Sequence, residues 1–415
     1  MRSVSHSRRK LWLARLRAMA PGIVSAASDN DPTTVASLAV IGSTTAYALG
    51  WLVVLVIPML AVVQAISSQI GAVTNAGLED LVRSCYGRGA AFIVLLAVLA
   101  VNVLTFAADL EGGGAALSLL THVHYQWWLI PLTAASLALL IWGSYAKVER
   151  VLVYIPLLFI TYVVAAFMAH PDWHQVLRSS FVPHIERSHD YVAGALALLG
   201  TTLTAYAYVW QGLEIKEERP PLRRLGLVQI DATFGAVGAG ITFWFIVIAT
   251  GATLGVHGIR VETAQQAAEA LRPAAGEWAS ILFGIGLLGS ALLALPVLLA
   301  TSAYVVTEMF EWRGRLDAKF FQARRFYAVM IVTALVGCAI AFAGISPIRL
   351  LFASSIAGGL ATPITLVFML LAACDARIMA DSPLSARLRV AGWATTAVVA
   401  VAAAIFLFQT FIRAT

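Results

Sequence analysis

Apolar runs of about 18 to 28 residues recur along this 415-residue chain, and short charged stretches separate them. Runs of that length match the roughly 30 Å hydrocarbon core of a bilayer at 1.5 Å rise per residue. Inside lipid the backbone must satisfy its own hydrogen bonds, which an uninterrupted apolar run does only as a helix. Only 12% of the residues are charged and 60% are hydrophobic, whereas a soluble domain carries about 25% charged residues. The chain is therefore expected to be an all-α, polytopic membrane protein.

The runs predict about eleven transmembrane helices, at 20–45, 47–70, 90–120, 127–146, 150–169, 191–215, 231–256, 278–310, 326–344, 347–373 and 388–412. Their connections alternate in basic content. With the N-terminus inside, 22 of the 28 Lys and Arg residues fall on inner segments, so the positive-inside rule predicts a cytoplasmic N-terminus. Residues 1–19, with Arg8, Arg9, Lys10, Arg15 and Arg17, read as a retained cytoplasmic segment, because no A-x-A cleavage site follows. The rest, 20–415, reads as one transporter domain, since no connection is long enough to fold separately. Gly112, Gly113 and Gly114, and Gly235, Gly238 and Gly240, lie within spans and are expected to serve close helix packing.

The first run is interrupted by Ser28-Asp29-Asn30-Asp31-Pro32-Thr33-Thr34. Pro32 removes a backbone donor and clashes with the preceding turn, and it pushes Asp31 out of α geometry. The helix is expected to be unwound near the bilayer midplane. An aspartate there costs about 2.5–3.5 kcal/mol on insertion scales, so a partner or occupant is expected. A kinked helix capped by Asp31 is the simpler alternative, but a cap needs one polar residue and this segment supplies several. Broken helices expose carbonyls that coordinate cations. In the sixth run, Gly200-Thr201-Thr202-Leu203-Thr204-Ala205-Tyr206 clusters small and hydroxylated residues at mid-span, followed by Gln211 and Glu214. Breaks in helices 1 and 6 suit a five-plus-five inverted repeat, about 20–170 and 191–373, with 388–412 as an extra helix.

These stretches resemble the NRAMP superfamily, and within it the NRAMP-related magnesium transporters. The resemblance rests on Asp29-Asn30-Asp31-Pro32-Thr33-Thr34 after Ala20-Pro21-Gly22, and on Gly200-Thr201-Thr202-Leu203-Thr204-Ala205-Tyr206 with Trp210-Gln211. Ala108-Asp109-Leu110 and Ala303-Tyr304 with Glu308 extend it. It implies a LeuT-like fold and alternating access. It also implies that Asp31 is the metal-ligating aspartate and that Thr34 stands where the motif has asparagine or glycine. Ser28 and Thr201 fall where backbone carbonyls face the metal. Thr204 replaces the methionine that gives ordinary members a soft ligand, and Tyr206 replaces a histidine linked to proton movement. Ala205 stands where the family usually has proline.

With Asp31, Thr34, Thr204 and backbone carbonyls as ligands, every donor is oxygen. Hard donors suit Mg²⁺, Mn²⁺ and Ca²⁺ and give no advantage to softer ions; Mg²⁺ is favoured, with Mn²⁺ close behind. Tyrosine, whose reference pKa is near 10, does not shuttle protons at neutral pH as histidine does, so transport without strict proton coupling is expected. Asp29, Asn30, Asp109, Glu111, Tyr206, Gln211 and Glu214 remain pathway or coupling candidates. Structural hydrogen bonding is the competing reading for the four acids among them. Asp109 and Glu111 are two residues apart and project to different sides of a helix, so at least one should face the interior. Asp231 and Glu308, near inner helix ends, are more simply paired with helix or loop than engaged in gating. Seven of the eight histidines fall on predicted outer segments, most simply as solvated loop residues.

An importer of divalent metal ions is the favoured function, and an organic-substrate carrier of the same fold the alternative. The latter would want a Gly-rich unwound first helix and not an aspartate. No H-E-x-x-H, G-x-S-x-G or P-loop occurs, which argues against an enzyme. Basic residues do not interleave with aromatics, so no nucleic-acid partner is expected. Neither is a resident cofactor; the partners expected are the divalent metal ion and the lipid bilayer, and the sequence leaves the oligomeric state open, a monomer included. Arginine's excess over lysine suggests a bacterial source, hence an inner-membrane location.

Overall fold

The computed structural model describes residues 30–142, 158, 161–218, 221, 225–312, 314–316, 318, 320–379 and 382–414. Those residues fold as helices and connecting turns. Helices α1 (Pro32–Thr45), α2 (Gly50–Thr74), α3 (Leu78–Thr121) and α4 (Gln126–Trp142) come first. They are followed by α5 (Thr161–Met168), the short α6 (Trp173–Phe181), α7 (His189–Thr202) and α8 (Ala205–Glu218). Then come α9 (Leu225–Thr253), the short α10 (Ala264–Glu269) and α11 (Arg272–Ala275), α12 (Ala279–Met309), α13 (Arg324–Ala341), α14 (Pro347–Cys374) and α15 (Ala386–Ala414). Eight helical segments among the described residues are long and apolar enough to cross a membrane, counting α7 and α8 as one crossing.

The predicted runs map onto these elements in order. The first run is represented by α1 alone, because residues before Asn30 lie outside the described ones; the start of the fifth run, before Thr161, does too. The third run was expected to start at 90. Instead α3 begins at Leu78 and bends at Gly87, whose φ of 86° and ψ of 171° are non-helical. A left-handed φ is cheap only for glycine, so Gly87 is where a first turn carrying Glu79 and Asp80 meets the membrane-crossing part.

α3 is the central post. It packs against α12, α14, α13 and α4, while α9 packs on α2 and α1, and α7 on α14. A Cβ on Gly112 would lie 2.7 Å from Pro32 Cβ, and one on Gly240 2.3 Å from Ile57, so small residues set both approaches. Gly238 departs from the packing expectation: nothing lies within 4 Å of a Cβ there, and its face is open. Large apolar side chains on outward faces remain exposed, among them Phe92, Phe234, Leu335 and Phe408. These are the positions lipid would cover. α15 is the least buried of the long apolar helices, a peripheral addition to the bundle.

Candidate metal centre

Asp31 precedes α1 with φ −65° and ψ 165°, extended backbone, and Pro32 occupies the first helical position. This is the local geometry that proline demands of its predecessor. The Asp31 side chain caps the helix: Oδ1 accepts from Thr34 N–H at 2.6 Å. Its other oxygen, Oδ2, accepts from the Tyr206 hydroxyl at 2.5 Å. The carboxylate is only 2% exposed, so both oxygens are engaged in a dry setting. The capped-kink alternative and the cation-site reading thus meet in one residue, since the cap bond uses one lone pair and leaves others.

Facing α1 is the second break. α7 ends at Thr202, Leu203 takes φ −107° and ψ 34°, and α8 starts at Ala205. No proline enforces this. Instead, the Thr362 hydroxyl on α14 lies 3.0 Å from the Leu203 carbonyl and 2.8 Å from the Gly358 carbonyl of its own helix, so its one hydrogen is shared between the two. Gly200 serves close approach rather than unwinding: it is helical, and a Cβ there would sit 2.0 Å from the Ser355 carbonyl oxygen and 2.1 Å from Gly359 N. Thr201 and Thr204 therefore flank the break. The Thr34 and Thr201 hydroxyls are 2.8 Å apart, and Thr34 also reaches the Thr201 carbonyl at 3.5 Å.

The cleft between α1 and the α7–α8 break is too narrow for a water-sized sphere. Asp31, Thr33, Thr105, Thr201, Thr204 and Tyr206 line it, together with Ser354, Ser355 and the Gly200 and Gly358 backbones. Every side-chain donor atom on this wall is oxygen. Among the described residues no three His, Cys, Asp or Glu side chains cluster closely enough to hold a metal by themselves. One carboxylate, hydroxyls and carbonyls would have to share the coordination, an all-oxygen set of the kind hard ions take.

The sequence-predicted residues separate into three groups. Asp31, Thr34, Thr201, Thr204 and Tyr206 come together, and Asn30 is buried at the same break. Ser28 and Asp29 lie outside the described residues, so their carbonyl and carboxylate are not placed. Asp109 is adjacent: its Oδ1 accepts from both the N–H and the hydroxyl of Thr33, at 2.9 and 2.6 Å. Glu111, Gln211 and Glu214 do not line the cleft. Asp109 and Glu111 are both fully buried, more than the helix-side argument required, because α3 has neighbours all round. Asp231 belongs to α9, and its side chain lies outside the described set.

Sequence reasoning missed Thr33, Thr105, Ser354 and Ser355. The Thr105 and Ser354 hydroxyls are 2.9 Å apart, and Ser37 reaches Ser355 at 2.7 Å. The paired serines before Gly358-Gly359 were the available signal, since two adjacent hydroxyls followed by two glycines at mid-span are unusual in an apolar run.

At the end of the bundle predicted to face inward, a second, wider cavity of about 600 Å³ opens among Asp80, Arg83, Lys216, Glu217, Tyr304 and Glu308. Lys216 Nζ lies 2.8 Å from Glu308 Oε1, and the Tyr304 hydroxyl donates to Glu217 Oε1 at 2.5 Å. Arg83 pairs with Asp80 at 3.0 Å and also with Glu311. Glu308 is paired with a helix residue, as its simpler reading held.

A helix that starts at a buried carboxylate and faces the break between α7 and α8, in a bundle of apolar helices, is the arrangement of a membrane transporter of LeuT-like fold. Residues 22–409 match the family model for natural resistance-associated macrophage protein-like proteins, Nramp, and the chain belongs to that family. One relative is the divalent metal cation transporter MntH of Caldanaerobacter subterraneus subsp. tengcongensis. It is 22% identical over 386 residues, 89% of this chain and 88% of that protein. Another, MntH of Verminephrobacter eiseniae, is 23% identical over 424 residues, 99% and 93% of the two chains. Among solved structures, the Eremococcus coleocola manganese transporter (mutant H236A) superposes with a TM-score of 0.72 at 18% identity, covering 96% of this chain and 87% of that one. MhsT in complex with L-phenylalanine follows at TM-score 0.63 and 15% identity, covering 93% and 97%. The family is one of transporters, and an enzymatic role is set aside on that ground.

Proposed function

We propose that this protein carries divalent metal ions across the membrane by alternating access, with Mg²⁺ favoured and Mn²⁺ next. The observation that carries the reading is Asp31, a buried carboxylate at the head of a half-helix, facing a second break across a wall of oxygen atoms. The relatives named for divalent metal transport, and the manganese transporter of the same fold, support the substrate class. Preference for Mg²⁺ rests on the donor set and on the resemblance of Thr204 and Tyr206 to the magnesium branch. Thioether sulfur is missing from the cleft wall, and hard oxygen donors give Cd²⁺ no advantage.

The basic distribution supports an N-terminus in the cytoplasm and import into a bacterial cell. Tyr206 in place of a titrating imidazole supports movement driven by membrane potential, without strict proton coupling. The organic-substrate alternative fits poorly: the cleft is narrow, and a carboxylate stands where an amino acid's own carboxylate would need donors.

Uptake of Mg²⁺, Mn²⁺ and Cd²⁺ into proteoliposomes, with internal pH recorded, tests these points together. The expected result is Mg²⁺ and Mn²⁺ entry that Asp31→Ala abolishes, little Cd²⁺ entry, and no acidification tracking the metal. Uptake that survives Asp31→Ala would remove the site, and stoichiometric acidification would remove the uniport.

A further inference from the structure

We propose that Tyr206 is a specificity-determining residue: its hydroxyl, bonded to Asp31 Oδ2, competes with two-oxygen coordination by that carboxylate and so biases the cleft against large divalent ions such as Ca²⁺. The inference rests on the reading of the cleft as a cation site and deepens it.

The two donors on Asp31 differ in what they can do. The Thr34 N–H on Oδ1 belongs to the first turn of the same helix, and it stays as long as that turn exists. The Tyr206 hydroxyl comes from α8, across the second break, and reaches Oδ2 at 2.5 Å. Tyr206 is 1% exposed, and its ring is packed into the bundle, so the hydroxyl is aimed by packing and not by chance. An ionised carboxylate offers about four lone-pair positions. Each oxygen already spends one of its lone pairs on a donor, Thr34 N–H on Oδ1 and the Tyr206 hydroxyl on Oδ2. A cation that takes both oxygens at once must share them with both partly positive hydrogens, whereas a cation on one oxygen competes with one. The pair of donors thus disfavours two-oxygen contact relative to contact through a single oxygen.

Coordination chemistry converts this into selectivity. Ca²⁺ takes about 6 to 8 oxygens at 2.3–2.6 Å and commonly draws two from one carboxylate, while Mg²⁺ takes six at 2.0–2.1 Å and keeps several waters. A carboxylate restricted to one oxygen costs Ca²⁺ a ligand that the small hydroxyls around it do not replace. It costs Mg²⁺ and Mn²⁺ little. The hydroxyl thus acts through Asp31 on the choice of ion, in a role separate from any movement of protons.

The test is Ca²⁺ inhibition of Mg²⁺ and Mn²⁺ uptake into proteoliposomes by wild type and Tyr206→Phe. In the Phe variant Ca²⁺ is expected to compete at about tenfold lower concentration relative to that variant's own half-saturating Mg²⁺ and Mn²⁺. Tyr206→His retains a ring donor and is expected to keep wild-type discrimination. Tyr206→Leu also lacks the hydroxyl and takes the place of the Phe variant should that protein not be recovered folded. Unchanged Ca²⁺ competition in a folded hydroxyl-free variant, or an equal change for all three ions, overturns the proposal while leaving the cation site intact. Wild-type protein that moves neither Mg²⁺ nor Mn²⁺ overturns the underlying reading instead.

Discussion

Gly200→Ala probes the contact that sets the spacing between α7 and α14, and with it the width of the cleft. The added Cβ would stand 2.0 Å from the Ser355 carbonyl oxygen and 2.1 Å from Gly359 N. Ordinary contact begins at 3.4 Å, so the two helices must separate by more than about 1 Å, since both obstacles are backbone and cannot rotate away. Overpacking a close-packed interior costs about 1–3 kcal/mol and occasionally more; with no flexible side chain to yield, the upper part of that range is expected. The strain falls on the Thr362 bond to the Leu203 carbonyl, 3.0 Å long, and displaces Thr201 and Thr204 from Asp31. Thermal unfolding of the detergent-purified variant is expected to fall by several degrees, and metal uptake should drop with it. Gly226→Ala is the control, since nothing lies within 4 Å of a Cβ there; its melting point should be unchanged or slightly higher. A Gly200→Ala protein with wild-type melting and uptake would refute the claim that this glycine holds the two helices at their spacing.

Three other perturbations have defined outcomes. Asp31→Asn keeps the cap bond but removes the charge, so uptake should be lost along with metal-dependent thermal stabilisation, which for the wild type at 100 times Kd is worth about 2.7 kcal/mol; equal metal-induced shifts in both proteins would contradict the site. Lys216→Met strands the half-buried Glu308 carboxylate, 2.8 Å away, and should lower the melting point, by less than the ~3–5 kcal/mol of a fully buried pair, with most of the loss recovered by adding Glu308→Gln; additive losses in a double-mutant cycle would show that the pair is not coupled. Gly87→Ala places a side chain at φ 86° and should cost about 1 kcal/mol or more, read as a lower melting point.

What the sequence made visible follows from how local each signal is. Pro32 and Asp31 act on their own turn, so the start of α1 and the extended backbone at Asp31 could be placed from the residues. The second break could be placed only roughly, because the group that meets its freed carbonyl is distant: Thr362 lies on α14, 159 residues further along the chain than Leu203. Ala205 has no intrinsic reason to follow a break. The wall residues Thr105, Ser354 and Ser355 are single hydroxyls in apolar helices, where a bond to the preceding turn is their ordinary use. Ser355 makes that bond too, to Leu351 at 3.1 Å. Only the packing of α3 and α14 around α1 turns them into a wall. The extension of α3 to Leu78 was hidden for the opposite reason, because its first turn carries Glu79 and Asp80 and breaks the hydropathy signal that identified the span.

Asp109 shows how the site is held on one side and free on the other. Both donors of Thr33 end on its Oδ1, at 2.9 and 2.6 Å, and a Cβ on Gly112, one turn away, would touch Pro32 at 2.7 Å. The first turn of α1 is thus fixed to α3 by two hydrogen bonds and a close contact. Toward α8 the described residues include the hydrogen bond from the Tyr206 hydroxyl to Asp31, which movement of α8 could break. If alternating access turns on these elements, α1 should keep its place on α3 while α8 moves. The prediction follows from chemistry at Asp109. Asp109→Asn retains an oxygen that accepts from Thr33 and should preserve melting temperature and uptake to within a few-fold. Asp109→Leu, similar in size, leaves a buried N–H and hydroxyl without an acceptor, at about 1–3 kcal/mol each. It should melt lower and transport poorly, because Thr33 lines the cleft. Loss of uptake in Asp109→Asn at wild-type melting temperature would show that the carboxylate's charge, and not its grip on α1, is what transport requires.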